Sequence, residues 1–315
     1  MRGLVVLVAL VLAGLVAPGA QAGQLVEVDL PSEGNVDAAQ IRFNGENHPE
    51  QLKANVLLPD GFDPAKRYPV LYLLHGAGES YTTWVRKTKA DEVTKGLDAI
   101  VVMPDAATGF YVNHYNGGRR GSPGWERYFL DEVIPAIEKR FPIRPGRRWH
   151  AVAGFSMGGY GSAYLASQRP DYFGSSGPMS GFVSVQRPEV PLAFRAASGQ
   201  DYEAIFGPPD GPYTVGHDPV ALAPNLKYTR MFVITGNGVP NPAMPQPASP
   251  ASAVSGALGE AEFGLQAQDF TRALRRAGAT VTHTNLLGIH DHPYWTDHLR
   301  RLLRWDPFKP VEESP

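Results

Sequence analysis

The stretch WHAVAGFSMGGYGSAY, residues 149–164, decides how this chain is read. An apolar segment, Ala151–Gly154, runs through Ser156 into a small-residue segment that opens at Gly158 and closes before Pro170. Gly154, Ser156 and Gly158 make the pattern G-x-S-x-G. With 34 glycines in 315 residues the pattern can arise by chance, so its setting carries the weight. A buried strand, a tight turn and then a helix form the arrangement that lifts a serine hydroxyl clear of a sheet. The turn strains the serine backbone, so its neighbours must be small. Gly154 and Gly158 fill those places, and Gly159 and Gly161 are expected to keep the helix close to the sheet. The helix N-terminus then aims free N–H groups at the same point. Ser156 is therefore read as a nucleophile rather than a polar turn residue.

On either side, apolar runs alternate with helical patterns. QLVEVDLPS and KANVLLPDGF read as early strands, expected to be antiparallel. Val70–Leu74, Ile100–Met103, HAVAGFS, TRMFVITGNG and ATVTHTNLLG read as buried strands. Continuous apolar runs are what parallel strands covered on both faces require. GWERYFLDEVIPAIEKRF carries Trp125, Phe129, Val133 and Ile137 on one stripe. GEAEFGLQAQDFTRALRRAGA and PYWTDHLRRLLRW read as further helices. The alternation predicts an α/β fold with a doubly wound, mostly parallel sheet and helices on both faces. Residues 238–259, rich in Pro, Ala and Ser, read as an extended loop. The region from Gly181 to Asn225 reads as irregular structure above the sheet.

The N-terminus carries Arg2, an apolar run from Leu4 to Val16, and Ala20-Gln21-Ala22. The run is short for a spanning helix, so residues 1–22 are expected to be a cleaved export signal and 23–315 a single domain. That expectation makes the protein secreted or associated with the cell envelope, with no stable membrane anchor. There is no cysteine, which excludes disulfides, thiolate metal sites and a thiol nucleophile. The formal net charge of −2 and the scattered arginine pairs give no field for nucleic acid. No cofactor motif is present. The expected partner is a small-molecule, lipid or aryl ester.

A serine hydroxyl needs a general base, and the base needs an orienting carboxylate. In this architecture the chain order is Ser, acid, His. NLLGIHDHPYW supplies His290 after the last strand, with His292 as its competitor. A zinc reading of His290, Asp291, His292 and His298 lacks a recurrent ligand spacing. His48, His114 and His217 read as solvated loop residues, and His150 and His283 as structural ones. The developing oxyanion needs two preset donors. Met157 N–H is one candidate. The other is Ala77 N–H in His75-Gly76-Ala77-Gly78, which resembles an HGGG-type oxyanion loop. Tyr81, Trp84, Phe155, Tyr160, Phe182 and Trp295 are candidates to line an apolar acyl or aryl pocket.

YPVLYLLHGAGES, GFSMGGYGSAYLASQRPDYFGSSGPMSG and GIHDHPYW together resemble the esterase family that joins esterase D-type enzymes, feruloyl esterases and antigen 85-type mycolyltransferases. The resemblance runs from about residue 50 to residue 305. It implies an α/β-hydrolase fold and acyl-ester chemistry through a Ser–acid–His triad, with Ser156, His290, Ala77 and Met157 in the roles above. For the acid this sequence leaves the mycolyltransferase pattern, because GNGVPNP places Pro242 where a glutamate is expected. Related esterases place the acid near the start of the next helix, which points to Glu260, with Glu262 as the alternative. Where mycolyltransferases have an aspartate near their sugar site, this chain has His75. These departures favour a serine esterase over an acyltransferase. A third reading, a non-enzymatic secreted binding protein, fits poorly with the retained Ser156 and His290.

Overall fold

A computed structural model describes residues 23–31, 35–36, 52–116 and 123–310. The segment read as an export signal lies outside the described residues, as does His48. The sheet has eight strands: β1 (Leu25–Asp29), β2 (Lys53–Leu57), β3 (Val70–Leu74), β4 (Ile100–Pro104), β5 (His150–Phe155), β6 (Ser175–Met179), β7 (Arg230–Gly236) and β8 (Val281–Leu286). Their order is β1-β2-β4-β3-β5-β6-β7-β8. The β1–β2 and β2–β4 pairs are antiparallel, and the remaining pairs are parallel. The expected doubly wound α/β sheet is the one found.

Burial shows why the central strands are apolar throughout. Val70, Tyr72 and Leu74 belong to one core, whereas Leu71 and Leu73 belong to the core on the opposite face. A strand alternates its side chains with period two, so a sheet covered on both sides must be apolar at every position. β6 was not anticipated, because Ser-Ser-Gly-Pro-Met has low strand propensity. Tertiary context overrides that preference: all five residues are buried between β5 and β7.

Helices α1 (Thr83–Arg86) and α2 (Ala90–Val93) follow β3. α3 (Trp125–Arg127) continues through a π-helical stretch, Tyr128–Val133, into α4 (Ile134–Arg140). Pro135 lies inside this continuous helix, directly after the π-helical stretch, where its missing N–H interrupts the regular hydrogen-bond ladder. α5 (Met157–Gln168) follows β5 directly. The region expected to be irregular instead holds three short helices, α6 (Val190–Ser198), α7 (Tyr202–Phe206) and α8 (Pro212–Val215). Their start signals are local: Asp201 caps α7 by accepting from Glu203 N, and Pro212 opens α8.

The largest correction concerns residues 238–259. Only the first part is loop; α9 runs from Pro250 to Arg276. Ser249 and Ser252 form a capping box and Pro250 sits in the first turn, so the Pro- and Ser-rich composition marks a helix start rather than an extended chain. α10 (His292–Trp305) closes the fold, capped by Asp291. Among the described residues no helix is long and apolar enough to cross a membrane.

Candidate active site

Because β3 and β5 to β8 are parallel, their C-terminal ends open on one edge of the sheet, where α/β folds place their sites. β5 ends at Phe155, and Ser156 follows with φ 55° and ψ −119°. A non-glycine residue there is strained, and the strain persists only where its surroundings hold it. The surroundings do hold it. Ser156 N donates to Met179 O at 3.0 Å, and Ser156 O accepts from Tyr160 N at 3.0 Å.

The close fit around this turn depends most on Gly158. A Cβ at this position would stand 2.1 Å from Leu74 O and 2.8 Å from His75 O. Those contacts are backbone, so they cannot move aside. Gly158→Ala is expected to cost about 3 kcal/mol, as overpacking of a tight core does, and to remove activity by displacing Ser156. Gly259→Ala is the control, since its Cβ would meet nothing closer than Phe263 Cε2 at 3.9 Å. It is expected to stabilise the helix by about 0.5 kcal/mol. Thermal melts of the two variants check both values.

Ser156 Oγ lies 2.9 Å from His290 Nε2, and His290 Nδ1 lies 2.8 Å from Glu260 Oε2. The three expected side chains are thus joined in one chain of hydrogen bonds. His290 sits in the turn after β8, where its backbone N donates to Gly256 O of α9 at 3.0 Å. Phe263 and Trp295 flank its ring at centroid distances of 4.9 and 4.8 Å. Glu260 is fully buried. Its Oε1 accepts from Ser180 Oγ at 2.7 Å and from Gly236 N. Burial alone would raise this carboxyl, but the His290 contact and the Ser180 hydrogen bond hold it below the ordinary carboxylate range. It is an ionised carboxylate with each oxygen occupied.

Glu262 is not at this site. It lies 3.1 Å from Arg187 Nε and accepts from Gln266 Nε2. Two residues of helix turn it by about 200°, on the far side from His290. Ser180 is a site residue that sequence reasoning missed. It follows the unanticipated β6, and no chemical motif marks it.

The loop after β3 has its own supports. Ala106 N donates to His75 Nε2 at 3.0 Å, which leaves the ring proton on Nδ1. His75 Nδ1 therefore donates to Gly76 O at 2.8 Å. A trans peptide holds its N–H opposite its C=O, so anchoring Gly76 O also fixes the direction of Ala77 N–H. Gly76 N and Gly78 N are engaged by Glu79 Oε2 and Thr108 Oγ1. Among the described residues, Ala77 N and Met157 N have no protein acceptor. They are the two amides the sequence nominates as donors.

Other expectations are corrected. Trp84, Phe155, Tyr160 and Trp295 are buried and pack as core, Phe155 stacking on Trp295 at 4.2 Å. Phe182 packs on Tyr160, and Tyr81 donates to Glu27 at the antiparallel edge. Trp295 meets the base as well as the core, and Phe263, which the sequence reading does not single out as a pocket residue, stands on the other flank of His290. His114 is not solvated: burial pushes its imidazole down to about 4. His217 stacks on Tyr213 at 3.9 Å. His150 is structural as expected, its two ring nitrogens meeting Tyr172 O and Arg144 O.

The Esterase family model, described as "Putative esterase", matches residues 46–305. The chain is 35% identical over 165 residues to an endo-1,4-beta-xylanase/feruloyl esterase of Xylanibacter ruminicola. That match covers 48% of this chain but only 22% of that relative's length. It is 28% identical over 257 residues to the diacylglycerol acyltransferase/mycolyltransferase Ag85B of Mycobacterium avium, covering 74% and 73% of the two chains. The crystal structure of Mycobacterium tuberculosis MPT51 superposes with a TM-score of 0.69 at 22% identity, covering 90% of this chain and 98% of that one. The matched span takes in Ser156, Glu260 and His290, and the chain belongs to this esterase family.

Proposed function

We propose that the protein is an exported serine esterase that works through Ser156, His290 and Glu260. The observation that carries the reading is the unbroken chain from Ser156 Oγ through His290 to buried Glu260. His290 Nε2 takes the hydroxyl proton as Oγ attacks the ester carbonyl. Glu260 keeps the ring's other proton on Nδ1 and stabilises the imidazolium as it forms. Met157 and Ala77 N–H groups receive the oxyanion. Collapse expels the alcohol, which takes the proton from His290 and leaves an acyl-serine. Water, activated by the same imidazole, attacks the acyl-serine; the carboxylic acid leaves and Ser156 regains its proton. Export rests on the character of residues 1–22.

Acyl transfer to an alcohol is the second reading, favoured by the likeness to Ag85B. His75 weighs against a sugar acceptor of the mycolyltransferase kind. The ring is fully buried and its two nitrogens are used by Gly76 O and Ala106 N, so it has no atom to offer a sugar. Incubation with p-nitrophenyl butyrate, with and without trehalose, separates the readings. Release of butyrate at an unchanged rate supports the esterase. Acyl-trehalose as the main product supports the transferase. No turnover under either condition contradicts both.

A further inference from the structure

Two residues beyond His290 the chain places a second imidazole in different company. His292 Nε2 lies 2.6 Å from Glu79 Oε1. Its Nδ1 lies 3.5 Å from Asp291 Oδ1. His290 faces one carboxylate and a hydroxyl, whereas His292 faces two carboxylates. A neutral ring would give its single N–H to Glu79 and turn a lone pair toward Asp291. Only the imidazolium answers both acids.

The surroundings of this ring are fully specified. Glu79 comes from the loop after β3, and Asp291 precedes the ring in its own turn. Lys87, just after α1, lies 3.7 Å from Glu79 Oε1. Phe155 and Trp295 meet the ring edge to face at 5.9 and 4.9 Å. The rings of His75 and His290 also stand near Glu79 and Asp291, respectively. Burial and Lys87 work against the charged ring; Asp291 and Glu79 outweigh them and move its pKa upward from 6.5.

Glu79 connects this pair to the oxyanion loop. While Oε1 faces His292, Oε2 accepts from Gly76 N at 3.2 Å. His75 holds the carbonyl of Gly76, and Glu79 holds its amide. The residue that presents Ala77 N–H is therefore anchored on both sides. The partners are 213 residues apart in sequence, and their contact ties the β3 loop to the turn that carries His290.

We infer that Glu79 and the His292 imidazolium form a clamp that holds the oxyanion loop in register with the base-bearing turn. Both are positioning residues: they act through Gly76 and Ala77, not on the substrate. The inference rests on the esterase reading of the site. It has a signed consequence for pH. The clamp is intact while His292 is protonated, and it weakens as pH rises through the raised pKa of this ring. The wild-type enzyme should therefore lose kcat on an alkaline limb above about pH 6.5.

The test is the pH profile of kcat and KM on p-nitrophenyl butyrate. It compares wild type, His292→Gln, Glu79→Gln and the double variant, with Ser156→Ala as blank. Each single change should lower kcat at neutral pH by about tenfold or more, as a misdirected oxyanion donor does, with KM within about twofold. The double variant should be no worse than the poorer single one, because both break one contact. The alkaline limb should vanish in His292→Gln. His292→Lys keeps the cation without titrating near neutral pH. It should retain more activity than His292→Gln and also lack the limb. Because these changes alter a part-exposed ring, they carry the test if Glu79→Gln does not fold. Unchanged kcat and an unchanged limb in His292→Gln overturn the clamp alone, as do multiplicative effects in the double variant. A wild type without Ser156-dependent turnover overturns the esterase reading, and the clamp with it.

Discussion

Replacing Ser156 by alanine is expected to reduce kcat on p-nitrophenyl butyrate by a factor on the order of 10⁶, with little change in the melting temperature. The size follows from how the residues act together. In a nucleophile–base unit, loss of the nucleophile costs about as much as loss of the whole unit, because the rest has nothing to activate. What survives is whatever the Ala77 and Met157 amides and binding supply over water. The small structural effect follows from the contacts. Ser156 is held by its own backbone N–H and C=O, and among the described residues its side chain serves only the 2.9 Å contact to His290. Alanine keeps the backbone bonds and accepts the same strained φ at similar cost. Steady-state kinetics beside a thermal melt decides the matter. A variant with a few per cent of wild-type activity would remove Ser156 from the chemistry.

The second large effect is that of Glu260→Gln. It should lower kcat by about 10⁴, because an amide cannot keep the imidazole in the required tautomer. The geometry shows why. Glu260 receives three donors: His290 Nδ1–H on Oε2, and Ser180 O–H with Gly236 N–H on Oε1. A glutamine has one NH₂ group, and whichever way it faces it meets a donor. Facing His290, it forces the ring proton onto Nε2, where the base must be empty. Facing Gly236, it leaves a buried N–H without a partner. A stability loss of about 1–3 kcal/mol accompanies the kinetic one. Glu262→Gln disturbs only contacts to Arg187 and Gln266, away from His290, so its kcat should stay within about twofold of wild type. Kinetics of the two variants side by side measures the contrast. Equal effects would contradict the assignment of the acid.

How far the sequence reveals this site depends on how local each signal is. Ser156 is legible because strand, turn and helix are contiguous, and the glycines that the elbow needs stand within two residues of it. His290 is legible because chain order places a base after the last strand. Glu260 and Glu262 are not separable in the same way. They lie two residues apart on one helix, so which one faces inward depends on the phase of α9. That phase is set by the capping box at Ser249 and by Gly256 meeting the backbone of His290, neither of which composition displays. β6 and Ser180 escape notice because Ser-Ser-Gly-Pro-Met has no apolar period. The sheet supplies the burial that the sequence does not advertise. The aromatic residues mislead for the opposite reason. Large rings near a glycine-rich turn suggest a pocket, yet Phe155 and Trp295 stack on each other beneath the elbow. The contact of Glu79 with His292 joins opposite ends of the chain, so only the fold brings it into view.

In the proposed esterase, Ser156 is the group that takes the acyl chain. Intact-protein and peptide mass spectrometry after exposure to a fluorophosphonate tests it most directly, because the reagent traps the attacking oxygen as a stable ester. One added phosphonyl group is expected on the peptide that carries Ser156, and none in Ser156→Ala or after unfolding. A protein that stays unlabelled while folded, or carries the group on another residue, would contradict it.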